Sequence, residues 1–196
     1  MKTAQLSGSL RANVGKKDAA ILRNAGRVPC VLYGQGEQTH FSVKQVEIEK
    51  IIFSPDVYQV ELSIEGKKTR GIIQELQQHP TKDTIQHVDF LELTDAKEIR
   101  VKLPVRVVGS SQGVMAGGKL MTVFRLLQCV GLPKDLPDAI TLDISTLKIG
   151  QSIRVNSIEI PGVKILDPAN AVVVSVKMAR GAIKVADAGD DEEEEA

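Results

Sequence analysis

The side chains best suited to chemistry near the start of this chain are basic ones, set in a stretch that is rich in glycine. They are Arg11, Lys16, Lys17, Arg23 and Arg27. Tyr33 follows them at the end of an apolar run. Clustered cations bind the phosphates of a nucleic acid, and an aromatic ring with a polar tip can contact a base or a ribose. This stretch therefore indicates RNA binding.

A second group of polar side chains lies further along the chain, at Gln77, His87 and Asp89. On an exposed strand face they could contact base edges and 2′-hydroxyls, because the minor groove of A-form RNA is wide and shallow. Asp89 would then contribute specificity more than affinity, since a carboxylate near RNA needs a donor such as the guanine amino group. Alternatively, Asp89 orients the ring of His87 or caps a turn.

Enzymatic interpretations have weaker support. A metal-dependent hydrolase could use His79, His87 and Asp89, but His79 comes from a loop before Pro80 and no fourth Cys or His lies nearby. The Gly-Lys-Lys segment at residues 15–17 lacks the upstream glycine and the Ser or Thr of a phosphate-binding loop. No Ser-His-Asp arrangement is legible. We therefore expect a noncatalytic protein without a metal ion or other cofactor.

The charges of the chain are unevenly distributed, although 25 Lys and Arg balance 25 Asp and Glu. Seven of the acids fall in the last ten residues, at Asp187, Asp190, Asp191 and Glu192 to Glu195. The 25 basic residues therefore stand against 18 acids elsewhere, an excess of seven. This asymmetry favours a polyanion-binding body with an acidic tail. Residues 186–196 have nothing to bury, and we expect them to be disordered.

Composition predicts a mainly β protein. Of the 196 residues 42% are hydrophobic but only 3% are aromatic, so the cores must consist of Val, Ile and Leu, and the β-branched members of that set favour strands. Cys30 and Cys129 sit in separate apolar runs, which is typical of buried thiols in a reducing cytoplasm. No apolar run approaches the ~20 residues that span a bilayer, and the N-terminus lacks a secretory signal.

Strand patterns divide the chain into two units. Six strands and two short helices in the first ninety residues predict a small β-barrel, with a hairpin that turns at Glu65-Gly66 and an edge or strand start at Pro29. The polar segment at 94–97 gives the boundaries 1–94 for the barrel, 95–185 for a second β-rich domain and 186–196 for the tail. In the second domain we expect a loop at 109–118 and a single strand at 120–130.

The sequence resembles a family of bacterial ribosomal proteins, that of the twenty-fifth protein of the large subunit in its long, two-domain general-stress form. The resemblance runs from about Leu6 to Met178. The first motif is Leu22-Arg23-x-x-Gly26-Arg27-Val28-Pro29-x-Val31-x-Tyr33-Gly34, and two others are Gln77-x-His79-Pro80 and His87-Val88-Asp89-Phe90. Gly113-Val114-x-Ala116-Gly117-Gly118 and Ile149-Gly150 match the second domain of the long form.

The resemblance implies a structural component of the central protuberance, whose barrel binds the loop E region of 5S rRNA from the minor groove. By motif position the contacts come from Arg11, Lys16, Arg23, Tyr33, Gln77, His87 and Asp89. Relatives often carry basic residues where this chain has Ala20 and Ile21, and Lys17 or Arg27 is expected to replace those contacts only in part.

The same resemblance implies a cytoplasmic protein that is monomeric within the ribosome and has no membrane partner. The second domain is expected to contact neighbouring RNA or proteins of the large subunit. Two alternatives remain open at this point: a tRNA-directed binding module, because a related barrel occurs in glutaminyl-tRNA synthetase, and a free stress-response factor.

Overall fold

The computed structural model describes residues 1–34, 36 and 38–178, and the acidic tail at 186–196 lies outside them. The first unit contains β1 Lys2–Leu10, α1 Lys16–Asn24, β2 Arg27–Tyr33, β3 Thr39–Lys44, α2 Gln45–Ile52, β4 Tyr58–Ile64, β5 Lys67–Gln78 and β6 Ile85–Glu92. Its six strands form a closed barrel in the order β1-β3-β2-β6-β5-β4. The predicted barrel with two short helices is therefore confirmed.

The barrel closes where β1 pairs in parallel with β4, in a register that runs from Lys2 opposite Tyr58 to Gly8 opposite Ile64. β4 and β5 form the predicted hairpin. Its turn residues Glu65 and Gly66 have φ values of 48° and 86°. Two positive φ angles are typical of the two-residue hairpin turn whose twist matches that of the flanking strands.

Alternation along the strands fills the interior of the barrel. In β6, Val88 and Phe90 are fully buried, whereas His87 and Asp89 between them are only half-buried. The ring of Phe90 lies with its centroid 5.7 Å from that of Phe41 on β3. The barrel is a packed core, so its binding groups must lie on the outer wall.

Of the two alternatives predicted for Pro29, an edge or a strand start, the edge was wrong. β2 is an inner strand, paired with β3 on one side and with β6 on the other. Pro29 is tolerated because pairing with β6 begins only at Cys30, so at Pro29 the strand has a single neighbour, with Ser42 as the opposite residue.

Helix α1 packs against β2 and is held at both ends by arginines. The Arg11 guanidinium, just after β1, donates to Asp18 Oδ2 from Nε at 3.2 Å and from Nη2 at 2.8 Å. At the other end, Arg23 Nε donates to the backbone oxygen of Gln86 in β6 at 3.0 Å. Gly26 then takes φ 70°, which ends the helix.

The second unit contains two small sheets around a core of its own. Its elements are β7 Ile99–Val108, α3 Gln112–Met115, β8 Gly118–Thr122, β9 Leu126–Gly131, β10 Ile140–Asp143, β11 Ser152–Arg154, a 3₁₀ turn at Val155–Ser157, β12 Val163–Ile165 and β13 Val172–Met178. One sheet has the order β10-β7-β9-β12 and the other the order β11-β13-β8. The predicted β-rich second unit is confirmed.

Two local predictions in the second unit were wrong. The single strand expected over 120–130 is two strands in different sheets, because the backbone N–H groups of Val123 and Phe124 turn to bond Val173 O at 2.9 and 3.3 Å. The loop expected over 109–118 contains α3, whose first N–H groups, on Gly113 and Val114, are capped by the buried Ser111 hydroxyl at 3.2 and 3.4 Å.

The two units contact each other. Asp56, which follows α2, accepts from Lys2 of β1 and from Arg106 of β7. The hydrogen bond from Lys2, assisted by the charge of Arg106, holds the pKa of Asp56 below its usual range. Ile72 of the barrel is 2% exposed and belongs to the core of the second unit. Independent folding of 1–94 and 95–185 stays a prediction. None of the helices in the described part of the chain has the length and apolar character needed to cross a membrane.

Close packing inside the barrel gives a first prediction, at Gly8. A Cβ at this position would lie 2.7 Å from Cδ2 of Phe41, a fully buried ring. We expect Gly8→Ala to lower the free energy of unfolding by about 1–3 kcal/mol, as overpacked cores do. Ser7→Ala, at the exposed neighbouring position, should change it by less than about 0.5 kcal/mol. Urea unfolding measures both, and equal stabilities would show that the ring can move at no cost.

The anchor of α1 gives a second prediction. Only 6% of the Arg11 side chain is exposed, so Arg11→Ala and Asp18→Ala should both destabilise the protein. In a double-mutant cycle we expect a coupling of roughly 0.5–3 kcal/mol, because the two groups bond each other directly. Lys17→Ala, at an exposed position beside Asp18, should change stability by less than about 0.5 kcal/mol. A coupling near zero would mean that the ion pair does not hold the helix.

Candidate RNA interface

The outer wall of β5 and β6 carries a compact set of polar side chains. Gln77 of β5 lies opposite His87 of β6, and Glu75 lies opposite Asp89. The four side chains share one surface because Val88, between His87 and Asp89, points into the core. We call Gln77, His87, Asp89 and Glu75 the polar face.

His87 and Asp89 form an ion-pair geometry within this face, with 2.6 Å between Nδ1 and Oδ1. A short contact to a carboxylate assigns the Nδ1 proton to His87, so Nε2 of the neutral ring is an acceptor. Each side chain is about a quarter exposed, at 24% and 26%. This contact supports the interpretation that Asp89 orients His87. Asp89 Oδ2 has no partner among the described residues and is free to accept another hydrogen bond.

Tyr33 lies on the same outer surface as Asp89. β2 and β6 run in parallel, with Val31 opposite Asp89 and Tyr33 opposite Leu91. Burial raises the pKa of the Tyr33 phenol, and the negative charges of Asp89 and Glu75 raise it further. The hydroxyl therefore keeps its proton at neutral pH and can donate a hydrogen bond at the margin of the polar face.

Three exposed cations on α1 adjoin this surface. Lys16 and Lys17 make no hydrogen bond or ion pair within residues 1–178 that the structure describes. Arg23 uses Nε to bond Gln86 O, next to His87, and so brings the end of α1 beside the polar face. These are the predicted site residues whose charge is available to a phosphate.

Two other predicted site residues bind groups of the protein. Arg11 bonds Asp18, as described above. Arg27 donates from Nε to Ser42 Oγ at 3.0 Å, and from Nη2 to Ser42 O at 2.9 Å and to Ser9 Oγ at 2.5 Å. Both guanidinium groups thereby tie strands or α1 together on the outer wall. A phosphate contact from Arg11 or Arg27 stays a prediction.

The sequence analysis missed Glu75. The spacing of Glu75 and Gln77 could have indicated it, because residues two apart in a strand share a face. Both belong to β5, which ends at Gln78. His40 of β3 was also missed. Its Nδ1 is buried and has no hydrogen-bond partner among the residues that the structure describes. It lies opposite Val31 of β2, and no feature of the sequence distinguishes it.

His79 is separate from the other two residues of the hypothetical metal centre. Its Nδ1 accepts from the backbone N–H groups of Thr81 and Lys82, both at 3.3 Å, so this ring nitrogen organises the turn after β5. In the described ranges no three His, Cys, Asp or Glu side chains are placed to hold a metal ion. Cys30 and Cys129 are buried free thiols, and burial raises the pKa of Cys129 to about 11.

Comparison with known proteins yields two matching family models. The model described as the Ribosomal L25p family matches residues 6–90. The model described as Ribosomal protein TL5, C-terminal domain, matches residues 98–180.

Curated relatives match over nearly the whole chain. Large ribosomal subunit protein bL25 of Porphyromonas gingivalis is 40% identical over 184 residues, which are 93% of this chain and 96% of the relative. The protein of the same name from Cytophaga hutchinsonii is 41% identical over 180 residues, or 92% and 94% of the two chains. That from Christiangramia forsetii is 38% identical over 189 residues, or 95% and 86%. The chain therefore belongs to the ribosomal L25p family, in its long two-domain form.

Proposed function

We propose that this protein is a structural component of the bacterial large ribosomal subunit and binds 5S rRNA through the polar face and α1. Its relatives are named as large-subunit ribosomal proteins, which supports the first part of the proposal. The observation that carries the second part is the juxtaposition of hydrogen-bonding groups on β5 and β6 with unpaired cations on α1. Recognition of an RNA groove requires both kinds of group side by side, because cations contact the phosphates of the two strands and hydrogen-bonding groups contact the base edges between them.

Affinity comes mainly from Lys16, Lys17 and Arg23. Each exposed cation neutralises a backbone phosphate and releases a condensed counterion, which gives binding that weakens with salt. Arg11 acts indirectly, because its bond to Asp18 positions α1 and therefore the cations on that helix. Arg27 similarly braces β1, β2 and β3 under the helix.

Discrimination comes from Tyr33 and the polar face. Asp89 Oδ2 accepts from a base donor such as the guanine amino group, which projects into the minor groove. His87 Nε2 accepts, Tyr33 donates, and the Gln77 amide can do either. Because the face is shallow and lies on rigid strands, it suits the wide minor groove of an RNA duplex, such as the loop E region of 5S rRNA.

In this proposal the protein is noncatalytic, needs no metal or cofactor, and acts in the cytoplasm as a single copy bound to the ribosome. Neighbouring RNA and proteins of the large subunit are its further partners. The direct test is a titration of the full chain with a 5S rRNA fragment that contains loop E, with a tRNA and an unrelated hairpin as competitors. The proposal requires preference for the 5S fragment, whereas preference for tRNA would favour the tRNA-directed module.

Loss of a phosphate contact should be visible in the salt dependence. We expect Lys16→Gln and Arg23→Gln each to reduce the slope of log K against log salt by about 0.9, with similar losses on matched and mismatched RNA. Lys119→Gln, at an exposed position on β8 of the second unit, should leave the slope unchanged. Fluorescence titration at several salt concentrations measures this, and an unchanged slope for both α1 variants would exclude α1 as the phosphate contact.

Asp89 should behave differently from the cations. We expect Asp89→Ala to cost roughly 1–3 kcal/mol on the 5S fragment and less on mismatched RNA, because a base-specific hydrogen bond is lost. Glu75→Ala removes the carboxylate opposite Asp89 and controls for general repulsion. If Asp89→Ala instead tightens binding to every RNA as Glu75→Ala does, Asp89 only repels RNA and makes no specific contact.

A further inference from the structure

A cleft of about 320 Å³ lies between the barrel and the second unit. The wall on the barrel side is mostly apolar, with Asp56, Tyr58 and Gln74 as its polar members, and comes from the end of α2, the segment that leads into β4 and the far half of β5. It is formed mainly by Ile51, Ile52, Val57, Ile73 and Leu76. The opposite wall comes from β7 and β9 and carries Arg100, Lys102 and Gln128. Clefts of this size, apolar with a few polar groups, are typical of ligand sites.

The cleft has positive charge that the protein does not neutralise. Arg100 and Lys102 project from one face of β7, since Val101 between them points into the core. Both are exposed, and neither side chain makes a hydrogen bond or an ion pair in the described part of the chain. The one acid among the described lining residues is Asp56, whose two oxygens are already taken by Lys2 and Arg106. An occupant with an anionic group is therefore favoured.

The cleft is continuous with the polar face through β5. Leu76 lines the cleft, while the next residue, Gln77, belongs to the polar face. Pairing of β5 with β4 ends at Ile72, opposite Gln59, so the edge of β5 beyond that point has no strand beside it. This edge of β5 therefore lies between the polar face and the cleft.

We propose that the cleft holds an unpaired nucleotide adjoining the RNA duplex on the polar face, an inference that rests on the proposed function. Its base packs against the aliphatic wall of Ile51, Ile73 and Leu76. Its phosphate lies against Arg100 and Lys102. A nucleotide has the apolar surface and the negative charge that the two walls require, whereas a paired nucleotide cannot turn its base out of the helix. The second unit thereby contributes to the same RNA site as the barrel.

The test uses the full chain and four RNAs. The first is a blunt stem that contains loop E. The second and the third are that stem with five unpaired uridines at one end and at the other end. The fourth carries abasic residues in place of the uridines, at the end where they raise affinity. Arg100→Gln/Lys102→Gln removes the cations of the cleft. Lys119→Gln/Lys177→Gln is the matched control, because these exposed lysines face each other on β8 and β13, outside the cleft lining.

We expect an extension at one end to raise affinity about tenfold, near the lower limit for a base stacked on an aromatic ring, because the wall here is aliphatic. The cleft variant should lose this gain and about 0.7 of the salt slope on the extended RNA, the value for one single-strand phosphate. It should bind the blunt stem as the unaltered protein does. The control variant should keep the gain, and the abasic extension should keep the slope but lose most of the affinity gain.

Failure of the inference can be told from failure of the proposed function. If the blunt stem is not preferred over an unrelated hairpin, the proposed function and the inference both fall. If the blunt stem binds but neither extension adds affinity, the inference alone is overturned. It is also overturned if the control variant loses as much as the cleft variant, because the effect is then one of net charge. An abasic extension that binds as well as uridine would exclude the base from the cleft.

Discussion

The parallel pairing of β1 with β4 is the constraint on which the rest of the structure depends. Seven consecutive residue pairs, from Lys2 with Tyr58 to Gly8 with Ile64, join the first strand to the fourth and leave the barrel without a free edge along that seam. Because side chains alternate, a slip of one residue would turn every inward side chain of a strand outward. The closed register therefore fixes which residues reach the outer wall, including Gln77, His87 and Asp89 on the far side.

The cations of the outer wall have two different roles. Arg11 bonds one carboxylate oxygen of Asp18 through two of its nitrogens, and Arg27 bonds three oxygens of Ser9 and Ser42, which suits a planar guanidinium that ties elements together. Lys16 and Lys17 are compact charges on flexible stems and stand in solvent at the start of α1. The resemblance that named Arg11 and Lys16 as equivalent RNA contacts could not separate them, because the difference lies in the position of Asp18, in the first turn of α1.

Much of the first unit could be predicted from the sequence because its signals are local. Glu65-Gly66 specifies the turn of its hairpin, Gly26 ends α1, and alternation places His87 and Asp89 on one face. The second unit was harder to predict. Between β8 and β9 the chain passes from one sheet to the other, and this change depends on hydrogen bonds to the distant Val173. The α3 turn likewise depends on tertiary packing, because a Cβ on Gly113 would lie 2.7 Å from the backbone of Ile149.

Strand β5 shows why the two units are best considered together. Its first half pairs with β4 and completes the barrel, and Ile72 then enters the core of the second unit. Past Ile72 the strand has an open edge, lines the cleft with Ile73 and Leu76, and ends with Gln77 opposite His87. A register shift after Ile73 separates these two halves and re-aims the side chains that follow. A change in how the second unit packs on Ile72 therefore acts on the same strand that positions the polar face.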